Sequence, residues 1–160
     1  MSEIRVGLGY DMHAFADGRP LILGGVELVH GRGLAGHSDA DVLVHALMDA
    51  ILGAMRAGDI GMHFPDTDIE WEGASSIGLL ARVGDLMRAD GWSLVDADTV
   101  LVLEAPRISP HRDVMRARMA AALGVDADRV GLKATTTEGL GVAGRGEGVA
   151  AQAVVLLERS

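Results

Sequence analysis

The chain has 160 residues, a length typical of one domain, and apolar residues make up 49% of it. A formal net charge of −9, without a basic cluster, argues against a nucleic-acid-binding protein and against docking on an anionic membrane. The absence of cysteine excludes a disulfide framework and a cysteine-ligated zinc site. Neither a secretory signal nor a membrane-spanning apolar run is visible, so we expect a cytoplasmic protein with no membrane or nucleic-acid partner.

The first part of the chain predicts a strand, a hairpin and a loop. Alternating apolar residues over 4–10 are typical of a strand. Residues 21–29 predict a hairpin arm or a second short strand, with a turn or bulge at Gly24-Gly25. Residues 30–38 are rich in glycine and predict a loop.

Two helices are predicted next. Apolar residues over 40–54 recur at helical spacing, and Ser38 or Asp39 is the predicted amino-terminal cap. Residues 58–74 predict a loop because glycine, proline and aspartate recur throughout. A second amphipathic helix is predicted to open at Ser75.

The remaining elements complete an α+β pattern. Residues 93–104 predict a buried strand, residues 109–124 a third helix, and residues 130–136 and 149–158 two closing strands. This order predicts a single domain over residues 1–160, with helices packed on one face of a sheet. The strands are apolar on both faces, so we expect another subunit to cover the second face.

Three residues of the types that zinc prefers stand out. Asp11 and His13 are two positions apart in the first strand and therefore point to the same side. His45 lies within the apolar pattern of the first helix. Together they would supply three ligands and leave a fourth position for water or substrate, although each alone is also typical of a half-buried structural side chain. Asp41 or Asp49, one helical turn from His45, would orient its imidazole.

Other polar stretches suit anions and sugar hydroxyls. His37 and Ser38 precede the first helix, where free backbone N–H groups favour an anion. The loop at 58–68 contains three aspartates that would bind sugar hydroxyls, unless it is simply a solvated turn. Residues 133–148 combine threonines, glycines and Glu138, which suit phosphate oxygens and a second hard cation; the alternative is a glycine-rich turn.

Taken together, these motifs carry a resemblance over residues 4–158, with no large insertion. They are Asp11-Met-His13, His37-Ser-Asp-Ala-Asp41, His45-Ala-Leu, Gly58-Asp-Ile-Gly61, Phe64-Pro-Asp-Thr-Asp68, Glu104-Ala-Pro-Arg107, Lys133-Ala-Thr-Thr-Thr-Glu138 and Gly144-Arg-Gly-Glu-Gly148. In this order they resemble the 2-C-methyl-D-erythritol 2,4-cyclodiphosphate synthase family. The resemblance implies an α/β homotrimer with active sites between subunits.

The resemblance also implies a reaction. A lyase of the non-mevalonate isoprenoid pathway would convert 4-diphosphocytidyl-2-C-methyl-D-erythritol 2-phosphate to the 2,4-cyclodiphosphate and release CMP. The 2-phosphate of the substrate would attack its β-phosphorus with metal assistance, so no protein nucleophile would be needed.

Roles are carried over residue by residue from the resemblance. It implies Zn²⁺ at Asp11, His13 and His45, and a second divalent ion, Mg²⁺ or Mn²⁺, at Glu138 with the diphosphate. His37 and Thr136 match the catalytic residues. The residues that match substrate contacts are Ser38, Asp59, Ile60, Gly61, Phe64, Pro65, Asp66, Thr67, Asp68, Leu103, Glu104, Ala105, Pro106, Arg107, Ile108, Ser109, Thr135, Thr137, Val142 and Arg145.

An axial cavity and two rival functions complete the expectations. Arg145 and Glu147 match residues beside a cavity in which some relatives bind an isoprenoid diphosphate, but Val142 replaces an aromatic residue there. A metal-dependent phosphohydrolase would instead use a positioned water and release a linear product. A non-catalytic trimeric module for isoprenoid diphosphates would leave the three zinc ligands without a purpose.

Overall fold

A five-stranded mixed sheet forms the centre of the computed structural model, which describes residues 1–160. The strands are β1 (Glu3–Ala16), β2 (Leu21–Leu23), β3 (Val26–Leu28), β4 (Gly33–Leu34), β5 (Ser93–Val102), β6 (Val130–Thr135) and β7 (Gly148–Arg159). The helices are α1 (Val42–Met55), α2 (Ile60–His63), α3 (Ser76–Ala89), α4 (Arg112–Leu123) and α5 (Gly141–Gly144). None of these helices has the length and apolar content that a membrane crossing requires.

The sheet order β4-β1-β7-β5-β6 sets which strand ends meet. β7 is antiparallel to both β1 and β5, and β5 is parallel to β6. β1, β5 and β6 therefore run in the same direction, and their carboxyl ends lie along one edge of the sheet. Residues near these ends, from Asp11 in β1 to Thr135 in β6, share that edge although they are far apart in sequence.

The predicted α+β architecture is confirmed, with corrections to several boundaries. β1 continues six residues beyond the predicted 4–10, so Asp11 and His13 lie within the strand. The predicted loop at 58–74 contains the short helix α2 and a 3₁₀ turn at Ile69–Trp71. The residues at 21–29 form a separate two-stranded hairpin, β2–β3.

Two glycines of β1 let α1 lie directly against the sheet. Gly7 and Gly9 face the helix, and a Cβ atom at either position would overlap the carbonyl oxygen of Ala50 or Ala46, respectively. Any other residue would therefore push α1 outward. This close approach brings His45 of α1 beside the next two residues on the same face of β1, Asp11 and His13.

The amino terminus of α1 is fixed by Asp41, not by the predicted Ser38 or Asp39. The buried Asp41 carboxylate accepts hydrogen bonds from the backbone N–H groups of Val44 (3.2 Å), Gly24 (2.9 Å) and Gly25 (2.7 Å). Burial raises the pKa of Asp41 to about 6, although the bond from Gly25 acts in the opposite direction. One side chain thus caps α1 and attaches the β2–β3 turn to it.

The outer face of β1 is not covered within the chain. Ile4, Val6, Leu8, Tyr10 and Met12 alternate along the strand and are all exposed, Leu8 by 72%. The opposite face packs against α1 within a continuous apolar core. The helices therefore cover one face of the sheet only, as the sequence predicts.

Candidate active site

The predicted metal ligands converge although they come from two elements. The Nε2 atom of His13 lies 2.9 Å from Oδ2 of Asp11 and 3.2 Å from Nδ1 of His45, which is itself 3.0 Å from the same carboxylate oxygen. Ligand atoms in a tetrahedral zinc site are about 3.3 Å apart, given zinc–nitrogen bonds near 2.0–2.1 Å. These three residues, hereafter the metal half-site, are therefore spaced to bind a divalent metal ion.

The charges of the metal half-site are coupled. Burial pushes the pKa of Asp11 upward, but hydrogen bonds from His13 and His45 outweigh it and hold that pKa well below its usual range. Burial lowers the pKa of His13, but the Asp11 carboxylate outweighs it and leaves that pKa raised. A metal ion bound here would therefore displace a proton that Asp11 holds on His13.

The other nitrogens of the two histidines have partners outside the half-site. His13 Nδ1 donates to the carbonyl oxygen of Ala35 at 2.6 Å, so Nε2 is the atom that would bind a metal once it loses the proton shared with Asp11. His45 Nε2 lies 2.9 Å from the hydroxyl of Ser76 and 3.1 Å from that of Ser38. The donor set and its orientation both fit a bound metal.

The prediction that Asp41 or Asp49 orients His45 was wrong. Asp41 is used by the β2–β3 turn and the cap of α1, and Asp49 accepts a hydrogen bond from the N–H of Ile60 at 2.8 Å. Besides Ser38, the group that contacts the outer nitrogen of His45 is Ser76, 31 residues downstream on α3. Helical spacing could not indicate it, because α3 reaches His45 only through the tertiary fold.

A cavity of about 390 Å³ opens directly over the metal half-site. It is lined by Asp11, His13, Gly36, His37, Ser38, His45, Met48, Ile60, Gly61, Phe64, Asp66, Trp71 and Leu79. The cavity thus brings together nine of the predicted site residues: Asp11, His13, His37, Ser38, His45, Ile60, Gly61, Phe64 and Asp66.

The apolar wall of the cavity was only partly predicted. Trp71 and Leu79 join Ile60 and Phe64 there, and the rings of Phe64 and Trp71 pack edge to face with centroids 5.1 Å apart. The sequence offered one signal, a tryptophan in a loop rich in glycine and aspartate. Leu79 looked like an ordinary core residue of α3.

The loop that carries His37 and Ser38 is held by Arg19. Its guanidinium donates to the carbonyl oxygens of Gly36 at 2.7 Å and Ser38 at 2.6 Å. His37 Nε2 in turn donates to the carbonyl of Asp68 at 3.1 Å, which fastens the 64–71 loop beside the cavity. Arg19 lies in none of the motifs and was not predicted.

The remaining residues of the 58–68 loop lie beside the cavity without lining it. Asp59 accepts a hydrogen bond from Met62 N–H at 2.9 Å and caps α2, and Asp68 caps the following turn through Glu70 N–H at 3.0 Å. Pro65 and Thr67 belong to the same loop and are not among the lining residues. In this chain the two aspartates perform the turn chemistry that was the alternative interpretation.

A second polar group lies at the same edge of the sheet but away from the cavity. Leu103–Ser109 follow β5, and Thr135–Glu138 run from the last residue of β6 into the next loop. The resemblance implies that these two segments bind the nucleotide, and they are hereafter called the nucleotide half-site; neither lines the cavity. Glu104 accepts hydrogen bonds from the N–H of Thr137 at 3.0 Å and of Gly139 at 3.4 Å. β6 lies three strand positions from β1, or about 14 Å at ordinary strand spacing.

Several other predicted residues lie in surroundings that differ from the cavity. Leu103 and Ile108 are buried in the core, so their side chains stabilise the segment from within. Arg145 forms an exposed ion pair with Glu147 at 2.8 Å, beside Val142 in α5. Neither Glu138 nor Thr136 lines the cavity of its own chain.

Comparison with known proteins agrees with this geometry. The YgbB family model matches residues 4–158. This chain belongs to the YgbB family. A relative from Synechococcus elongatus, named 2-C-methyl-D-erythritol 2,4-cyclodiphosphate synthase, is 55% identical to it over 99% of both chains.

Solved structures of YgbB relatives share the fold. Bifunctional IspDF from Campylobacter jejuni matches all of this chain with a TM-score of 0.95 and 42% identity, and this chain spans 43% of its length. A structure of 2C-methyl-D-erythritol-2,4-cyclodiphosphate synthase in a CDP-bound form matches with a TM-score of 0.87 and 41% identity, over 96% of this chain and 99% of that one.

Proposed function

We propose that this YgbB protein is a 2-C-methyl-D-erythritol 2,4-cyclodiphosphate synthase. The 2-phosphate oxygen of 4-diphosphocytidyl-2-C-methyl-D-erythritol 2-phosphate bonds to the β-phosphorus, and the bond from that phosphorus to the bridging oxygen breaks. CMP leaves with the α-phosphorus, and the cyclic diphosphate remains. The observation that carries the proposal is the convergence of Asp11, His13 and His45 at the floor of a cavity beside His37 and Ser38.

The main obstacle to this reaction is electrostatic. Two phosphate charges about 4 Å apart repel each other by roughly 4 kcal/mol at an effective dielectric constant near 20. Asp11, His13 and His45 would hold Zn²⁺, and Glu138 would hold Mg²⁺ or Mn²⁺ with the diphosphate. Bound there, these ions supply Lewis-acid polarisation and neutralise charge on the phosphate oxygens.

The residues of the chain position the reacting ends. The apolar wall of Ile60, Phe64, Trp71 and Leu79 suits the methyl-bearing carbon chain, and His37 suits a phosphate oxygen. Holding attacking oxygen and phosphorus in line replaces a protein nucleophile, since well-oriented intramolecular attack is worth about 7–11 kcal/mol.

A homotrimer would complete the active site. The metal half-site and the nucleotide half-site lie at one edge of the sheet but are too far apart to share a cavity within one chain. Contact between the metal half-site of one subunit and the nucleotide half-site of the next is head-to-tail, and such contacts close into rings. The exposed apolar face of β1 supplies a surface for that assembly.

The nucleotide half-site would bind the cytidine diphosphate end. The CDP-bound relative supports this assignment for a ligand of that class. An isoprenoid diphosphate beside Arg145 on the trimer axis is the weaker part of the proposal, because the side chain of Val142 offers less apolar surface than an aromatic ring. A cytoplasmic location stays a prediction from the sequence.

Phosphorus NMR of a substrate incubation tests the function directly. A cyclase gives CMP and a cyclic diphosphate in equal amounts, and the cyclic diphosphate has no terminal phosphate monoester. A 2,4-bisphosphate with two phosphate monoesters, or released inorganic phosphate, would identify a metal-dependent phosphohydrolase and contradict the proposal.

A further inference from the structure

The outer nitrogen of His45 begins a buried polar chain that ends on a carboxylate. His45 Nε2 lies 2.9 Å from the Ser76 hydroxyl, and that hydroxyl donates to Oδ1 of Asp39. Ser76 is completely buried at the first turn of α3. The second oxygen of Asp39 accepts the backbone N–H of Ser76 at 3.0 Å, so both ends of the contact are fixed.

The number of hydrogens available in these hydrogen bonds determines which ring nitrogen of His45 is protonated on the Ser76 side. An ionised carboxylate only accepts hydrogen bonds, so the single hydrogen of the Ser76 hydroxyl belongs to the bond with Asp39. The oxygen of Ser76 can then only accept from His45, which places a proton on Nε2. The ring would then bind a metal through Nδ1, the atom that faces Asp11 and His13, after Nδ1 loses the proton that it shares with the Asp11 carboxylate.

The Ser38 hydroxyl can also accept the hydrogen bond from His45 Nε2, but it cannot be the donor to that nitrogen. Ser38 Oγ lies 3.1 Å from His45 Nε2 and already accepts the N–H of Ala40 at 3.2 Å. A hydrogen donated from Ser38 to Nε2 would leave two acceptor atoms, Nε2 and the Ser76 oxygen, in contact at 2.9 Å. With a metal ion between His45 Nδ1 and Asp11 Oδ2, which are otherwise 3.0 Å apart, the arrangement with the proton on Nε2 satisfies every group.

We propose that Asp39 and Ser76 are positioning residues for the metal ion, holding His45 in the tautomer and ring orientation that present Nδ1 to the ligand position. The proposal rests on the metal site of the proposed function. Partners of this kind affect metal affinity because they fix the orientation of a ligand and raise its basicity.

The test compares the zinc affinity of Ser76→Ala with that of Ser75→Ala in the assembled protein. Competition with a chromophoric chelator measures the affinity without any turnover. We expect Ser76→Ala to weaken zinc binding by about 10- to 100-fold, the range typical for lost outer partners of metal ligands. Ser75→Ala removes the cap of α3, since Ser75 Oγ accepts from Gly78 N–H, and should lower the melting temperature without changing zinc affinity.

The two variants separate positioning from simple loss of structure. Equal zinc affinity in Ser76→Ala and the wild type, or an equal loss in Ser75→Ala, would overturn the proposal. A wild-type protein that binds no zinc would instead refute the metal site on which it depends. Should Ser76→Ala fail to fold, Asp39→Asn provides the same comparison. The side-chain amide of the asparagine would point an N–H group at either the backbone N–H or the hydroxyl of Ser76, so one of the two hydrogen bonds is lost or reversed. An unchanged affinity in this variant also overturns the proposal.

Nitrogen-15 NMR of the histidine rings gives an independent signature in the zinc-loaded protein. We expect His45 to carry its proton on Nε2, protected from exchange with water, and to lose that protection in Ser76→Ala. A proton on Nδ1 of the wild-type ring would contradict the assignment.

Discussion

The two half-sites share one edge of the sheet but differ in how far a single chain organises them. The ligand atoms of the metal half-site lie within 3.2 Å of one another, and both outer histidine nitrogens are hydrogen-bonded. The nucleotide half-site is mostly exposed, and its polar groups bond to one another through Glu104. A geometry suited to a metal ion is thus complete within each chain, whereas the proposed nucleotide site would need a partner surface.

Removal of a metal ligand is the largest change that this comparison predicts. His45→Ala should abolish stoichiometric zinc and lower turnover by about a thousandfold or more, because several kcal/mol of charge stabilisation are lost. The oligomer should still form. Metal analysis and CMP release check this, with His111→Ala as the control, since His111 lies at the start of α4 outside the cavity. Full activity of metal-free His45→Ala would reject the site.

A charge on the exposed outer face of β1 should prevent assembly and so separate the metal half-site of one subunit from the nucleotide half-site of the next. Leu8→Asp is expected to give monomers that retain zinc but lose turnover, since each nucleotide half-site then lacks its neighbour. Light scattering after size exclusion, combined with metal analysis, measures both effects. Val114→Asp adds the same charge at an exposed apolar position of α4 and should leave the assembly intact. An active Leu8→Asp monomer would show that one chain suffices.

The close contact between α1 and β1 predicts opposite effects for two glycines. Gly9→Ala should destabilise the fold by about 1–3 kcal/mol or more and weaken zinc binding, because the new methyl group meets the backbone of α1. Gly53→Ala on α1 meets only the Leu8 carbonyl oxygen at 4.0 Å and should stabilise by about 0.5–1 kcal/mol. Denaturant unfolding measures both, and a neutral Gly9→Ala would contradict the packing.

The smallest expected effect is on the pH dependence of the melting temperature, which should reverse when the protein binds metal. The pKa of Asp41 is raised to about 6 in the folded protein, so its contribution is fully present below the unfolded pKa near 3.9 and is lost as pH rises through 6. The raised pKa of His13 adds a loss as pH rises through its folded value. The metal-free protein should therefore melt at a lower temperature at pH 7.5 than at pH 5.

Zinc should reverse that trend, because His13 binds metal only after losing its proton. At fixed protein concentration, the increase in melting temperature caused by zinc should grow between pH 5 and 7.5. An increase that shrinks over the same interval would mean that the metal is held elsewhere.

Local patterns in the sequence predicted the parts of the molecule that depend on short-range chemistry. The alternation of β1 and the helical spacing around His45 indicate their elements, and Asp11 and His13 share a strand face by geometry alone. The resemblance then identified residues in both half-sites. Asp41 was assigned the wrong partner, because the backbone N–H groups that it binds, those of Gly24 and Gly25, belong to a separate hairpin.

Contacts formed only by tertiary packing were beyond the sequence. Ser76 reaches His45 from α3, and Arg19 holds the loop of His37 through backbone carbonyls, a contact that leaves no pattern in the residue types. Trp71 joins the cavity wall from a segment that was predicted only to be a loop. Ser76 and Arg19 act on partners more than fifteen residues away, and Trp71 packs on Phe64 only because the loop folds back on itself.

Complementation between two inactive variants tests the composite site most directly. His45→Ala lacks the metal half-site and Thr136→Ala damages the nucleotide half-site, so each alone should be inactive. When the two are coexpressed in equal amounts, random mixing in a ring leaves about a quarter of the junctions with both halves intact, and about a quarter of wild-type turnover should return. If mixed assemblies form and stay as inactive as the separate variants, the two halves do not meet across a subunit boundary, and the account is wrong.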